Sequence, residues 1–135
     1  MFFKSENNSD NLVKVAALLI HAAKIDENFS SLEENLIKQT LLKIGANNSN
    51  IEEIIKDAQK IEENSNQILD FTKEIKNMNE EKKIEIIEAL WRIIYSNKIA
   101  DDYETNLMRR LAGLLYIDSK TMGDIKERIK SENSK

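Results

Sequence analysis

At 135 residues, with 41% hydrophobic and 33% charged side chains, the chain has the size and balance of one ordinary globular domain and lacks the low hydrophobicity of a disordered one. A formal net charge of −4 excludes the basic profile of a general nucleic-acid binder, and the absence of cysteine excludes a disulfide frame, a thiolate nucleophile and a cysteine-based zinc site. No proline and only three glycines leave few helix breakers, so long helices are predicted. The opening MFFKSENNSDN lacks the apolar run of a signal peptide, and no later stretch approaches the ~18 apolar residues of a membrane span. The expected location is the cytoplasm.

In chain order, Ser9 or Asp10 is placed to cap a first helix whose Leu12, Val15, Ala16, Leu19, Ala22 and Ala23 recur at the spacing of one buried face, widened by Leu18 and Ile25. The acidic stretch Asp26 to Ser30 breaks the pattern. Ser30-x-x-Glu33 reads as a capping box for a second helix through Leu36, Ile37, Thr40, Leu41 and Ile44, with Gly45 as its stop. Ser49-x-x-Glu52 reads as another, opening a third helix with Ile51, Ile54, Ile55, Ala58 and Ile61 on one side. Asn64 to Asn66 should end it, and Ile68 to Ile75 carries the period into a fourth. A fifth starts near Glu80 and buries Ile84, Ile87, Leu90, Trp91, Ile94 and Tyr95. Asp101-x-x-Glu104 caps a sixth through Leu107, Met108, Leu111, Leu114 and Leu115, and a last helix follows Ser119 with Met122, Ile125 and Ile129. Both tips, Met1 to Phe3 and the tail from Ser131, are expected to fray.

Sliding the chain along itself by 71 positions sets Leu19 on Leu90, Glu33 on Glu104, Asn35 on Asn106, Leu36 on Leu107 and Asp26 on Asn97. Helical periods and loop positions match at the same offset. The reading is one all-α domain of about seven helices, with two pseudo-repeated helical hairpins, about 12–45 and 83–117, packed in one core that contains those four leucines.

The stretch from Leu90-Trp91 through Tyr95, Asn97, Asp101 and Tyr103-Glu104, followed by Asn106, Arg109-Arg110 and Leu115, resembles the second helical hairpin of the tellurite-resistance TerB-like family. That pattern runs Leu-Trp, apolar residues, Ala-Asp-Gly, Asp-x-Tyr-Glu, Arg-Arg and Leu-Leu. Leu18 to Leu42, with Ala22-Ala23-Lys-Ile-Asp26 and Glu33, resembles the first hairpin. The chain departs from the pattern at Asn97 and Lys98, where Asp-Gly is usual, and at Glu27, which replaces Gly. The resemblance implies an all-α domain found near bacterial stress and tellurite-resistance systems. It further implies acidic, divalent-metal-binding surfaces and assembly with partners near the membrane.

Asp26, Asn28 and Ser30 alternate oxygens as a calcium loop would, but an EF-hand would want Gly near Ser31 and a bidentate acid where Ile37 stands. A composite Ca2+ or Mg2+ site needs the hairpins to bring Asp26, Glu33 and Glu34 near Asn97, Asp101 and Glu104. The competing reading is structural: Ser30/Glu33 and Asp101/Glu104 lie at helix starts, where side-chain oxygens satisfy free amides at ~1 kcal/mol each. His21, with no second His or Cys, cannot anchor a usual zinc site, and its counterpart at the 71-residue offset is Arg92. Both are expected at a helix edge, packing their stems.

Trp91 and Tyr95, one turn apart, are expected in the core rather than lining a ligand. Arg109 and Arg110 are candidate contacts for an anion or a partner, unless one of them pairs with Asp102 or Glu104. Lys126, Arg128 and Lys130 make a modest basic end to the last helix that suits its dipole. The function expected is a non-catalytic binding or assembly module with protein partners, membrane-associated ones included, with weak divalent metal at the acidic loops and no nucleic acid. The alternative is a small enzyme or small-ligand-binding protein using the acids around Asp26 and Glu104. No nucleophile with a matching base, phosphate loop or zinc motif supports that alternative.

Overall fold

Among the residues described by the computed structural model, 2–24, 31–64, 69–95 and 102–133, with side chains except at 2–10, 69–70, 102–104 and 133, every regular element is an α-helix. They are α1 (Phe2–Ala23), α2 (Ser31–Ile44), α3 (Ile51–Asn64), α4 (Leu69–Ile75), α5 (Glu80–Tyr95), α6 (Asp102–Leu114) and α7 (Ser119–Asn133). The expected helices are all present. The termini differ from expectation: α1 begins at Phe2 rather than at Ser9 or Asp10, and α7 runs past Ser131. With no breaker in either stretch, each added residue gains a backbone bond on a helix whose nucleation its packed part has already met.

Two helices form the centre. Val15 to Ile20 of α1 are all buried in sequence, as are Ile86 to Trp91 of α5, so these helices are enclosed around most of their girth rather than along one stripe. They pack on each other. α1 also carries α2, α3 and α4, while α5 carries α2 and α7. Leu19, Leu90 and Leu107 lie in one buried cluster, and Leu36 packs against it half-buried. Each fully buried Leu or Ile contributes ~1.5 to 3 kcal/mol, so the α1/α5 pair supplies much of what holds the bundle.

The links after α2 and α6 close alike. Beyond α2, the Ala46 amide donates to the Leu41 carbonyl at 2.9 Å across Gly45, whose φ of 135° few side-chain-bearing residues adopt. Beyond α6, the Ile117 amide donates to the Ala112 carbonyl at 2.9 Å across Tyr116, whose φ is 61°. Ala46 and Ile117, just past the turns, are both buried. The next helix then starts on a cap. Asn47 Oδ1 accepts from the amides of Ser49 at 3.0 Å and Asn50 at 3.1 Å, and Asn50 Oδ1 accepts in return from the Asn47 amide at 2.9 Å.

α3 is therefore capped by an Asn47–Asn50 box, not by the expected Ser49–Glu52 box. The turn at Gly45 makes Asn47 the first polar side chain past the buried Ala46, and Ser49 offers one of the amides that need capping. Asp118 does the same for α7, accepting from the Thr121 amide at 2.8 Å, and Asn79 for α5, accepting from Lys82 at 2.9 Å. Gly45 and Tyr116, Leu41 and Ala112, Ala46 and Ile117, and Asn47 and Asp118 all stand 71 residues apart.

Candidate functional site

The acidic loops supply the first group of candidates. Asp26, Asn97 and Asp101 lie outside the described residues, as does the Glu104 side chain. Glu33, in the first turn of α2, is 2% exposed and turned inward, whereas its neighbour Glu34 faces outward to Lys38 at 3.6 Å. Successive helical positions diverge by ~100°, so these two carboxylates address different surroundings. Among the described residues, no three or more acidic, His or Cys side chains gather as a metal site. A hollow of about 190 Å³ by Leu12, Ile44, Asn79 and Lys82, and another by Ile20, Lys24, Gln59 and Glu63, carry none of the candidate residues.

The helix-edge bases are tied down. His21 Nδ1 lies 3.2 Å from Glu62 of α3, which also takes Lys24 at 2.8 Å. Arg92, its counterpart on α5, reaches Glu132 of α7 at 3.3 Å and Glu88 at 3.8 Å. Glu88, mostly buried, also accepts from Arg128, and that hydrogen bond raises the arginine's pKa further. In both halves, then, the first helix is joined to the third by a side-chain hydrogen bond at this register, which the sequence did not reveal because the partners lie some 40 residues apart.

Trp91 is core, 2% exposed, stacked on Tyr95 at 5.8 Å between centroids, with the Lys126 amine 5.5 Å from its ring. Its Nε1 is buried and has no hydrogen-bond partner among the described residues. Burial, and next the charge of Glu127, push the Tyr95 phenol up. Lys83 was not anticipated as a buried residue. It is 6% exposed, donates to the Leu115 carbonyl at 3.0 Å and lies 5.7 Å from the Tyr116 ring. Spaced as part of a polar run, Glu80 to Lys83, it gave no sequence signal other than its place 71 residues after Leu12.

Arg109 and Arg110 remain. Both are exposed on α6, and among the described residues neither makes an ion pair. The helix itself explains this, because an acid three or four residues away is what reaches a helical arginine. Positions 105, 106, 107, 112, 113 and 114 are Thr, Asn, Leu, Ala, Gly and Leu, while Asp102 and Glu104 are seven and five residues before Arg109. Asn106, Arg109, Arg110 and Gly113 form one outward stripe, with the exposed Tyr116 at its end.

No described helix is long and apolar enough to cross a membrane. No curated protein and no solved structure matches the chain. A family model described as "Tellurite resistance protein TerB" matches residues 12–127, from the packed part of α1 into α7. With that match spanning both hairpins of an all-α bundle, the chain belongs to the tellurite resistance protein TerB family.

Proposed function

We propose that this TerB-family chain is a single domain acting as a non-catalytic binding and assembly module for protein partners, membrane-associated ones included, within a tellurite-resistance system. One contrast supports the reading: of the four arginines, Arg92 and Arg128 are held by Glu88 and Glu132, while Arg109 and Arg110 stand outward with no acid in helical reach. Burying charge without a partner is costly, but leaving two arginines solvated on one stripe is a cheap way to hold a contact ready. The hydrogen bonds that recur at the 71-residue offset support an internal duplication, extended to α1–α3 and α5–α7, in which one copy has kept this stripe open.

The test is complementation of tellurite resistance in a bacterial host that carries the rest of such a system. Reversing both charges, Arg109→Glu with Arg110→Glu, should abolish resistance while the thermal midpoint stays within a few degrees of wild type, as expected of surface changes worth about 0.5 kcal/mol or less. Full resistance in that variant would overturn the reading.

Weak Ca2+ or Mg2+ binding at the acidic loops belongs to the same proposal, centred on Asp26 because Asn97 lacks the charge of an Asp and Lys98 adds a cation beside it. The expected affinity is ~10⁻⁴ to 10⁻³ M, as in sparsely charged exposed sites. Calcium titration should move amide NMR shifts from Asp26 to Glu34 and lose that effect in Asp26→Ala. No movement at millimolar calcium would leave these acids as helix caps.

A further inference from the structure

The two corners of the bundle differ in one respect that concerns binding. On α2, Lys38 meets Glu34 one turn back at 3.6 Å and Glu52 of α3 at 2.9 Å, and the hydrogen bond to Glu52 is the chief cause of its raised pKa. Seventy-one residues on, Lys38 becomes Arg109, Glu34 becomes Thr105 and Glu52 becomes Gly123. The cation is kept and both acids are gone. The α2–α3 and α6–α7 links share their helix closure and their cap, so Arg109 and Gly123 hold the positions in the second corner that Lys38 and Glu52 hold in the first. A Cβ built on Gly123 would meet nothing within 4 Å, so the position equivalent to the Glu52 Cβ is open.

We propose that the α6–α7 corner binds a carboxylate side chain from an acidic segment of a partner protein, which supplies in trans the acid that Glu52 supplies within the first corner. The proposal rests on the binding-module reading above and names the partner's chemistry. A guanidinium presents a planar pair of donors that fits one carboxylate with two parallel bonds, which an ammonium cannot do. Gly123 and Gly113 leave room for a partner backbone to come close, and a Cβ on Gly113 would likewise meet nothing. Arg110, turned ~100° from Arg109, is placed for a second acid along the segment rather than for the same one. Tyr116, 69% exposed at the end of the stripe, adds an aromatic contact of the kind that anchors interfaces.

The surface around the corner carries both signs of charge, which suits one or two local carboxylate contacts rather than an extended polyanion. Asp118, just before α7, and Asp124 and Glu127 on it are exposed and interleave with Lys120, Arg128 and Lys130, so the surface lacks the extended basic field that a nucleic acid or an anionic membrane requires. One arginine fork next to a gap is enough for one carboxylate.

The experiment uses the whole isotope-labelled chain and a hexaglutamate peptide, followed by amide NMR shifts. Shifts should appear in 105–113 and 120–124 and reverse in about 0.5 M NaCl, where the Debye length falls below about 5 Å. Arg109→Gln should weaken binding about tenfold or more, the loss expected for a charge-assisted hydrogen bond. Gly123→Glu, which restores the acid within the corner, should do the same, while Lys38→Gln should leave binding unchanged.

No shifts at millimolar peptide, or shifts indifferent to Gly123→Glu, would overturn the proposal. So would a response to inorganic phosphate or to phosphatidylglycerol vesicles in place of the peptide, or a concentration-dependent dimer lost in Arg109→Gln, which would make a second copy the occupant. If the peptide fails while Arg109→Glu with Arg110→Glu still abolishes resistance, the carboxylate assignment falls and the module reading stands.

Discussion

The α2–α3 corner and the α6–α7 corner are closed by the same backbone hydrogen bonds and built from different residues. Gly45 answers to Tyr116, Asn47 to Asp118, and Glu52 to Gly123. In the first corner each choice is locally relaxed: a glycine takes the positive φ, an uncharged amide caps α3 and a glutamate neutralises Lys38. In the second the cap is as good, but the other two choices are locally less favourable. A tyrosine holds a left-handed φ, and a glycine sits inside a helix at ~1 kcal/mol relative to alanine, while among the described residues Arg109, at the Lys38 position, makes no ion pair. A backbone motif thus tolerates several side chains, and the copy that departs from the relaxed set is where a binding role is to be sought.

The comparison can be broken first at its base, in the central helices that both corners lean on. Trp91 and Ile20 share a register and are both buried, so Trp91→Ala should destabilise by ~3 to 5 kcal/mol and Ile20→Ala by ~2 to 5. Against the ~5 to 15 kcal/mol that a domain has, either is severe. Urea midpoints measure both, and a near-wild-type midpoint for Trp91→Ala would place the ring outside the core.

A smaller pair of changes sharpens the turns. Gly45→Ala should cost ~1 to 2 kcal/mol, because a Cβ is strained at a φ of 135° even with open space around it. Tyr116→Gly should gain less than ~1 kcal/mol, since relief of the left-handed strain is offset by a more flexible unfolded chain and by the lost contact with Lys83. Opposite signs in the same urea series are the expected result. A loss in Tyr116→Gly larger than that in Gly45→Ala would show that the ring's contact with Lys83 outweighs the strain.

The smallest effect concerns pH and separates the two caps. Hydrogen bonds from the Thr121 side chain and amide hold the Asp118 carboxyl below its ordinary value of 3.8. A carboxyl whose pKa is lower in the folded chain contributes stability that is present above its unfolded value and lost as the pH falls through the folded one. Below about pH 4, in the carboxylate range, α7 should therefore lose amide-exchange protection at its first turn. α3, capped by the untitrating Asn47, should not. Asp118→Asn should make the two helices behave alike, and an equal acid response in α3 and α7 of the wild type would refute the assignment.

Much of this was legible in the residues. Ile37, Leu41 and Ile44, or Met122, Ile125 and Ile129, declare a buried face because three-and-four spacing is a local property of the helix. Trp91 declared itself core by the same spacing. Gly45 announced a stop because its conformational preference acts within a turn or two. The offset of 71 residues was visible from Leu19 and Leu90. Its extension to α3 and α7 was not, because the capping residues differ in type while keeping one geometry.

The sequence by itself thus determined the all-α class, the helix boundaries to within a few residues outside the first helix, the buried faces and the family. The tertiary structure decided which polar and charged side chains find partners. His21 with Glu62, Arg92 with Glu132, and Lys83 on the Leu115 carbonyl all join positions more than 30 residues apart. The open state of Arg109 and Arg110 has meaning only against those pairings. The physical reason is one of range: backbone hydrogen bonds and capping close within about four residues, so a single stretch of sequence contains both partners. Ion pairs between helices depend on the packing angle and register of whole helices, which many weak apolar contacts set together and no short stretch encodes.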